Sequence, residues 1–205
     1  MPQIKEKRER SLGERLHLKG DRCNSPKCAA VRKPYRPGVH GPKKPTRSIS
    51  EFGRQITEKQ KFKLTYGINE GNLAKIFSDA KKKKGSTANE ILSSLERRLS
   101  NIVFRLGFAP SRYSAHKLVL HGHILVNKKR VKSPGFLVKT GDAISFREES
   151  KKMKNLSQLR EVLKKYEPPS WLSLNLETLE GKVLDIPEEF ESPFEINLVV
   201  ESFSK

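Results

Sequence analysis

The richest run of chemistry-bearing side chains in this sequence is Ser111-Arg112-Tyr113-Ser114-Ala115-His116-Lys117-Leu118-Val119-Leu120-His121-Gly122-His123-Ile124-Leu125-Val126-Asn127. It reads as a ridge of donors and cations on a short helix and the β-turn that follows. The helix start at Ser111 and Arg112 offers free backbone N–H groups to a phosphate. Such a ridge suits RNA read by shape and backbone, along a shallow minor groove or a junction. An enzyme needs a nucleophile, acid or base constellation, and no P-loop, HExxH or G-x-S-x-G motif occurs. The five histidines stand scattered among cations and are better explained as RNA contacts, so no enzymatic activity is expected.

The elements that must hold this ridge can be read from periodicity and turn residues. Ser111 is a good N-cap for a helix running to His121, with Ala115, Leu118 and Val119 inward, Arg112, His116 and Lys117 outward, and Gly122 as the stop. Arg112→Ala is therefore expected to weaken RNA binding without unfolding the module. Upstream, Leu92, Leu95, Leu99, Ile102, Val103 and Leu106 form one apolar stripe and predict a single amphipathic helix, with Arg98 and Arg105 on one flank, ending at Gly107-Phe108-Ala109-Pro110. Downstream, residues 123–126 and Val131 predict two short strands joined by Asn127-Lys128-Lys129-Arg130. Residues 136–138 and 143–146 predict further strands around a turn at Thr140-Gly141-Asp142, and Met153, Leu156, Leu159 and Leu163 another helix.

Outside this unit the chain changes character. Pro26, Pro34, Pro37, Pro42 and Pro45, with Gly38 and Gly41, forbid long regular elements near the N-terminus, so residues 1–47 predict an extended basic arm that orders on its partner, with Tyr35 and His40 as stacking groups. A helix from Ser50 is expected to bury Phe52, Ile56, Phe62 and Leu64, and one from Asn69 to bury Leu73, Ile76, Phe77 and Ala80. The run of lysines at 81–84 and Gly85 close the second helix. Trp171 and the apolar string 196–200 are expected to dock on this helical region. The reading is an α+β protein: the arm (1–47), a helical domain (48–91 plus 166–205), and an inserted RNA-binding module (92–165) built of a two-helix motif and short antiparallel strands.

Charge names the class of partner. The chain has 42 Lys and Arg against 23 Asp and Glu, a net charge of +19. A surplus of that size calls for a polyanion. Residues 1–50, 51–100 and 101–150 carry net charges of +10, +5 and +6, whereas residues 151–205 carry −2. The first three quarters are thus expected to face the anion, while the acidic tail offsets basic neighbours or faces a basic protein. No apolar run reaches the ~20 residues of a spanning helix, and no secretory leader is visible. The basic stretches also lack the apolar face of a membrane-surface helix, so no membrane partner is expected. Two cysteines, Cys23 and Cys28, are too few for a disulfide framework and fit a reducing compartment.

Several motifs together resemble a known family. Arg97-Arg98-Leu99, Arg105-Leu106-Gly107-Phe108, His121-Gly122-His123-Ile124 and Gly141-Asp142-Ala143-Ile144 match its central module. Leu18-Lys19-Gly20-Asp21-Arg22-Cys23, Ser25-Pro26-Lys27-Cys28-Ala29, Pro37-Gly38-Val39-His40-Gly41 and Glu58-Lys59-Gln60-Lys61 match its flanks. Over essentially its whole length the chain resembles the small-subunit ribosomal proteins conventionally numbered four, of bacterial and organellar type. The resemblance implies direct, early binding to 16S-type rRNA at a helical junction, nucleation of assembly of the subunit body and a contribution to translational accuracy. It also implies contact with neighbouring small-subunit ribosomal proteins, a place near the mRNA entry channel, and a ribosomal location in the bacterial cytoplasm or, alternatively, in an organelle.

The expected RNA contacts in the arm are Arg22, Lys27, Arg32, Lys33, Tyr35, Arg36, His40, Lys43, Lys44 and Arg47. In the helical domain they are Arg54, Lys59, Lys61, Lys63, Lys82, Lys83 and Lys84. In the module they are Arg98, Arg105, Ser111, Arg112, His116, Lys117, His121, His123, Asn127, Lys129 and Arg130. Three departures from the family pattern stand out. Relatives with zinc carry four cysteines in the arm, but Glu6 and Glu9 stand at the first pair. Cys23 and Cys28, weak candidates as metal ligands, cannot close a tetrahedral site alone; His17 or His40 could complete one, but lone histidines in a basic arm more often touch RNA, so no cofactor is expected. Tyr113, His116 and Leu120 replace Arg or polar residues, which predicts a weaker grip. Lys128 follows Asn127 where a glycine suits the turn.

Overall fold

Local side-chain chemistry starts the helices. A computed structural model describes residues 5–42, 49–83, 85–151, 154–187 and 194–204. Helix α4 (Glu51–Tyr66) begins where the Ser50 hydroxyl accepts from Gly53 N–H, and it ends at Gly67, whose φ of 64° few side chains tolerate. Helix α5 (Glu70–Lys81) begins where the Asn69 side chain accepts from Asn72 N–H; Lys82, not Gly85, is its C-cap.

The chain divides into two compact units, residues 1–90 with 191–205, and residues 91–190. In the first, α4 and α5 pack with the C-terminal helix α11 (Ile196–Ser204). Phe62, Leu73, Phe77, Ala80, Phe194 and Val199 are buried there. Phe77 stacks on Phe203 at 5.0 Å and Phe62 meets Phe194 edge-on at 5.8 Å, and with the buried Val199 these rings seat α11 on α4 and α5. The inward face of α4 differs from the expected one. Gln55, Phe62 and Thr65 point in, while Phe52 and Ile56 are 66% and 41% exposed. The physical reason is α11: its Glu201 accepts from Gln55 Nε2 at 3.1 Å, which fixes the rotation of α4.

The arm also folds more than its prolines imply. Residues 5–35 contain α1 (Lys5–Leu12), α2 (Asp21–Asn24) and α3 (Ala29–Arg32), with α1 packed on α3. Arg10 Nε donates to the carbonyls of Lys33 and Tyr35 at 2.8 and 3.0 Å, and Cys23 and Cys28 are buried. Two buried thiols and an ion-paired helix supply the ordering that composition alone does not reveal.

Helix α6 (Thr87–Glu96) carries the chain into the second unit. The stripe from Leu92 to Leu106 is not one helix. Arg98 takes an extended conformation (φ −65°, ψ 133°) and α7 (Leu99–Arg105) starts afresh. The cause is non-local: Leu99 N–H donates to Phe136 O and Val138 N–H to Arg97 O, so residues 136–138 pair here instead of forming a strand of the sheet. Helix α8 (Arg112–Leu120) follows, with Ala115 and Val119 buried as expected.

Five antiparallel strands complete the unit: β1 (Ile124–Val126), β2 (Lys129–Arg130), β3 (Ala143–Phe146), β4 (Leu172–Asn175) and β5 (Glu180–Val183), in the order β2-β1-β3-β5-β4. Leu125 pairs with Ser145, and Ile144 with Gly181. Strands β4 and β5 correct the expectation that residues from 166 onward join the helical domain. They cover the free edge of β3, and Trp171 packs on this unit's core, not on the helices of residues 48–91. Gly181 permits this, because a Cβ there would lie 2.4 Å from Leu106. Helices α9 (Glu148–Lys151) and α10 (Lys154–Leu163) lie between β3 and β4 in sequence, and Leu163 joins the core.

Candidate nucleic-acid interface

The second unit builds its surface from α8 and the β1–β2 turn. The Ser111 hydroxyl accepts from Ser114 N–H at 3.2 Å and starts α8; Gly122, with φ 75°, ends it. Along the helix Tyr113, Lys117 and Leu120 are exposed and His116 is half-buried. Lys117 Nζ lies 5.0 Å over the Tyr113 ring. The chain then turns through Asn127 and Lys128 at φ 49° and 65°, the signature of a type I′ hairpin. Lysine thus occupies a left-handed position that glycine favours, and the turn retains its geometry. Asn127 explains why. Its Nδ2 donates to Asp142 Oδ1 at 2.7 Å and its Oδ1 accepts from Ala143 N–H at 2.9 Å.

Arg130 ties the turn to the helix end. Its Nε donates to Gly122 O at 3.2 Å and its terminal nitrogen to His121 O at 3.1 Å. His121 and His123 lie 6.2 Å apart, and His123 Nδ1 meets Ser150 Oγ at 3.0 Å. Lys117, Lys128, Lys129 and Arg130 pair with no carboxylate among the described residues. Lys128, Lys132 and Lys139 are exposed cations that the sequence reading left out. The signal was available for Lys128, which lies inside the turn itself.

Beside α8, Arg98 rests against Gly135, one terminal nitrogen 3.2 Å from where a Cβ would stand. Its Nε is buried and finds no acceptor. Burial lowers the Arg98 pKa. His116 is held below its ordinary value of 6.5, first by burial and then by the Arg98 charge.

Other residues expected to touch RNA also hold the module together. The Glu96 carboxylate, 3% exposed, accepts from Arg105 Nε at 3.0 Å, from an Arg105 terminal nitrogen at 3.1 Å and from Asn101 Nδ2 at 2.7 Å. Arg112 Nε donates to Asn101 Oδ1 at 2.7 Å, and its guanidinium lies 4.6 Å over Phe104. Arg105, Arg112, Ser111 and Asn127 are therefore engaged inside the module, because each sits where a buried acceptor or an unsatisfied N–H needs it. Burial alone would raise the Glu96 pKa, but Arg105, Arg112 and Asn101 outweigh it and hold the carboxyl below its ordinary value.

In the first unit the expected cations divide likewise. Lys61 is 6% exposed and holds Glu14 and Glu58 at 2.5 and 2.6 Å, so its ammonium is already paired within the unit. Lys59 and Lys63 share Glu70 at 2.5 and 2.7 Å, and Lys83 pairs with Glu90 at 2.8 Å. Arg22 pairs with Glu6 at 2.9 Å, while Arg54 and Lys82 make looser pairs with Glu195 and Asp79, at 3.8 and 3.7 Å. Lys27, Arg32, Lys33, Tyr35, Arg36 and His40 are exposed. Lys43, Lys44, Arg47 and Lys84 lie outside the described residues.

Around the two cysteines, the carboxylates that stand at the positions of the family's first cysteine pair already have partners. Glu6 is taken by Arg22 and Lys19, Glu9 accepts from Leu18 N–H at 2.9 Å, and Cys23 Sγ accepts from Lys19 N–H at 3.4 Å. Among the described residues no three His, Cys, Asp or Glu gather as a metal site, and no helix is long and apolar enough to cross a membrane.

Comparison with known proteins agrees with this architecture. Residues 2–96 match the model of the ribosomal protein S4/S9 N-terminal domain, and residues 97–144 match the S4 domain. Small ribosomal subunit protein uS4 of Halothermothrix orenii is 48% identical over 200 residues, covering 96% of this chain and 94% of that protein. Its namesake in Thermus thermophilus is 44% identical over 198 residues, with the same coverage of 96% and 94%. Two family domains that abut and together reach from residue 2 to residue 144, and relatives aligned nearly end to end, make the assignment: the chain belongs to the uS4 family of small-subunit ribosomal proteins.

Proposed function

We propose that this chain is a structural component of the small ribosomal subunit that binds 16S-type rRNA directly at a helical junction, nucleates assembly of the subunit body and contributes to translational accuracy. Family membership supports the ribosomal and RNA-binding parts of this reading; the family is one of ribosomal proteins, not of enzymes. One observation carries the choice of surface. Many cations elsewhere are neutralised by a carboxylate, whereas Lys117, Lys128, Lys129 and Arg130 gather around α8 and the type I′ turn with none. Unpaired cations on a rigid element attract phosphates without first breaking an ion pair.

The binding energy is mainly electrostatic on this reading. Neutralising ~6–10 phosphates makes affinity fall ~10³–10⁵-fold between 50 and 200 mM salt. Base edges and stacking groups add register on top of that. The C-terminal stretch, with nine Asp and Glu against two Lys from Glu167 onward, faces basic neighbouring small-subunit ribosomal proteins. The protein lies near the mRNA entry channel of a cytoplasmic bacterial ribosome, with an organellar ribosome as the second setting.

Gradient sedimentation combined with crosslinking to total RNA tests the proposal. Co-migration with small subunits, and crosslinks from Lys117 and Lys129 peptides to small-subunit rRNA, are expected. Co-migration with free large subunits alone would overturn it in favour of a non-ribosomal RNA-binding protein that shares the module.

A further inference from the structure

An open cleft of about 420 Å³, within the size range of small-ligand sites, lies in the first unit between α1, α3 and the segment after Arg32. Lys7, Arg10 and Lys33 line it with Tyr35, Pro37 and Gly38. Arg10 fixes its wall. Its Nε donates to the carbonyls of Lys33 and Tyr35, and its guanidinium carbon lies 5.0 Å from the Tyr35 ring centre. The Tyr35 ring remains 39% exposed. Glu6 also borders the cleft, but Arg22 and Lys19 hold its carboxylate at 2.9 and 3.3 Å, so its charge is already balanced. Lys7 and Lys33 have no carboxylate partner among the described residues, which leaves the cleft positive.

An exposed aromatic ring clamped on one side by a guanidinium, with two free ammonium groups beside it, has a specific complement. A base stacks on the open face of the ring, and the attached phosphate meets the lysines. Duplex RNA cannot present a base in that way, because its faces are occupied by its own neighbours. We propose that this cleft is a site for one unstacked nucleotide of a single-stranded RNA segment, its base on Tyr35 and its phosphate on Lys7 and Lys33. The inference rests on the RNA-binding reading above and adds to it a subsite that reads strandedness.

The test uses the full chain, with adenosine monophosphate and inorganic phosphate as probes and small-subunit rRNA as the large ligand. The nucleotide is expected to shift the Tyr35 ring signals in NMR spectra, while phosphate alone leaves them in place. Tyr35→Leu is expected to weaken rRNA binding about five- to a hundredfold, the worth of one stacked base, and Tyr35→Phe to bind as wild type. Both variants keep the clamp, since Arg10 Nε bonds to backbone carbonyls and not to the phenol. Unmoved Tyr35 signals with adenosine monophosphate, or a Leu variant that binds rRNA like wild type, overturns the subsite while the ribosomal assignment stands. Failure of the wild-type chain to bind rRNA would sink that assignment, and the mononucleotide titration would still decide the cleft.

Discussion

Glu96 and Arg105 are joined by two parallel hydrogen bonds, at 3.0 and 3.1 Å, that link the last residue of α6 to the last residue of α7. The carboxylate is buried and also receives Asn101, so removing it strands a guanidinium whose acceptor was built into the core. Glu96→Gln is expected to cost the second unit about 3–5 kcal/mol, the usual result of breaking a buried pair. Hydrogen exchange at the Ile102 and Leu106 amides reads that loss unit by unit; protection equal to wild type would defeat it.

The same pair sets a pH dependence. Because the folded state holds Glu96 below its ordinary value of 4.5, the unfolded chain takes up the proton first as pH falls. The stability that Glu96 supplies is therefore complete above pH 4.5 and is lost as pH drops through the lower folded value. Acid titration of unfolding should show this component in wild type and lack it in Glu96→Gln.

Arg112→Ala, which the sequence alone casts as a pure binding variant, is expected to lower stability. Its Nε bond to Asn101 at 2.7 Å is charge-assisted, and its loss should cost about 1.5–3 kcal/mol. Urea unfolding of the variant measures it. An unchanged midpoint with weakened rRNA binding would return Arg112 to the interface.

Lys128→Gly separates fold from function in the opposite direction. Relief of a left-handed lysine, worth about 1–2 kcal/mol, outweighs the added glycine entropy of about 0.5–1 kcal/mol, so the hairpin should gain several tenths of a kcal/mol. The same change deletes a cation from the turn. The slope of log affinity against log salt should shrink by about 0.7–0.9 if one phosphate contact is lost. A variant that is more stable and binds rRNA with an unchanged slope would exclude Lys128 from the interface.

What the sequence made legible was local, and what it hid was long-range. Ser50, Asn69 and Ser111 each cap a helix through a bond three residues away, so their roles can be read from a short window. The break at Arg98 cannot, because its cause is pairing with residues 136–138, and the apolar stripe runs through it without interruption. The exposure of Phe52 follows from the bond between Gln55 and Glu201, 146 residues apart in sequence. Charge was legible as a class of ligand, but not residue by residue. Lys61 and Lys117 look alike in sequence, and only the fold shows that one is buried between two glutamates while the other faces solvent.

His116 offers a titration that distinguishes the free protein from the bound one. In the free chain burial and then the Arg98 charge hold it below 6.5, so the unfolded state protonates first and this group's contribution to stability falls as pH drops below 6.5. A phosphate lodged on Arg98, whose buried Nε has no acceptor, would cancel that charge and make His116 easier to protonate. Binding would then take up a proton, and rRNA affinity should rise on acidification while the free protein weakens. Affinities at about pH 7.5 and about pH 5.5, at fixed salt, should differ roughly two- to tenfold more in wild type than in His116→Asn. The four other histidines, His17, His40, His121 and His123, are common to both proteins, so the difference isolates one imidazole. Identical pH profiles for the two would mean that no phosphate reaches Arg98, and the interface would have to end at Lys117 and the turn.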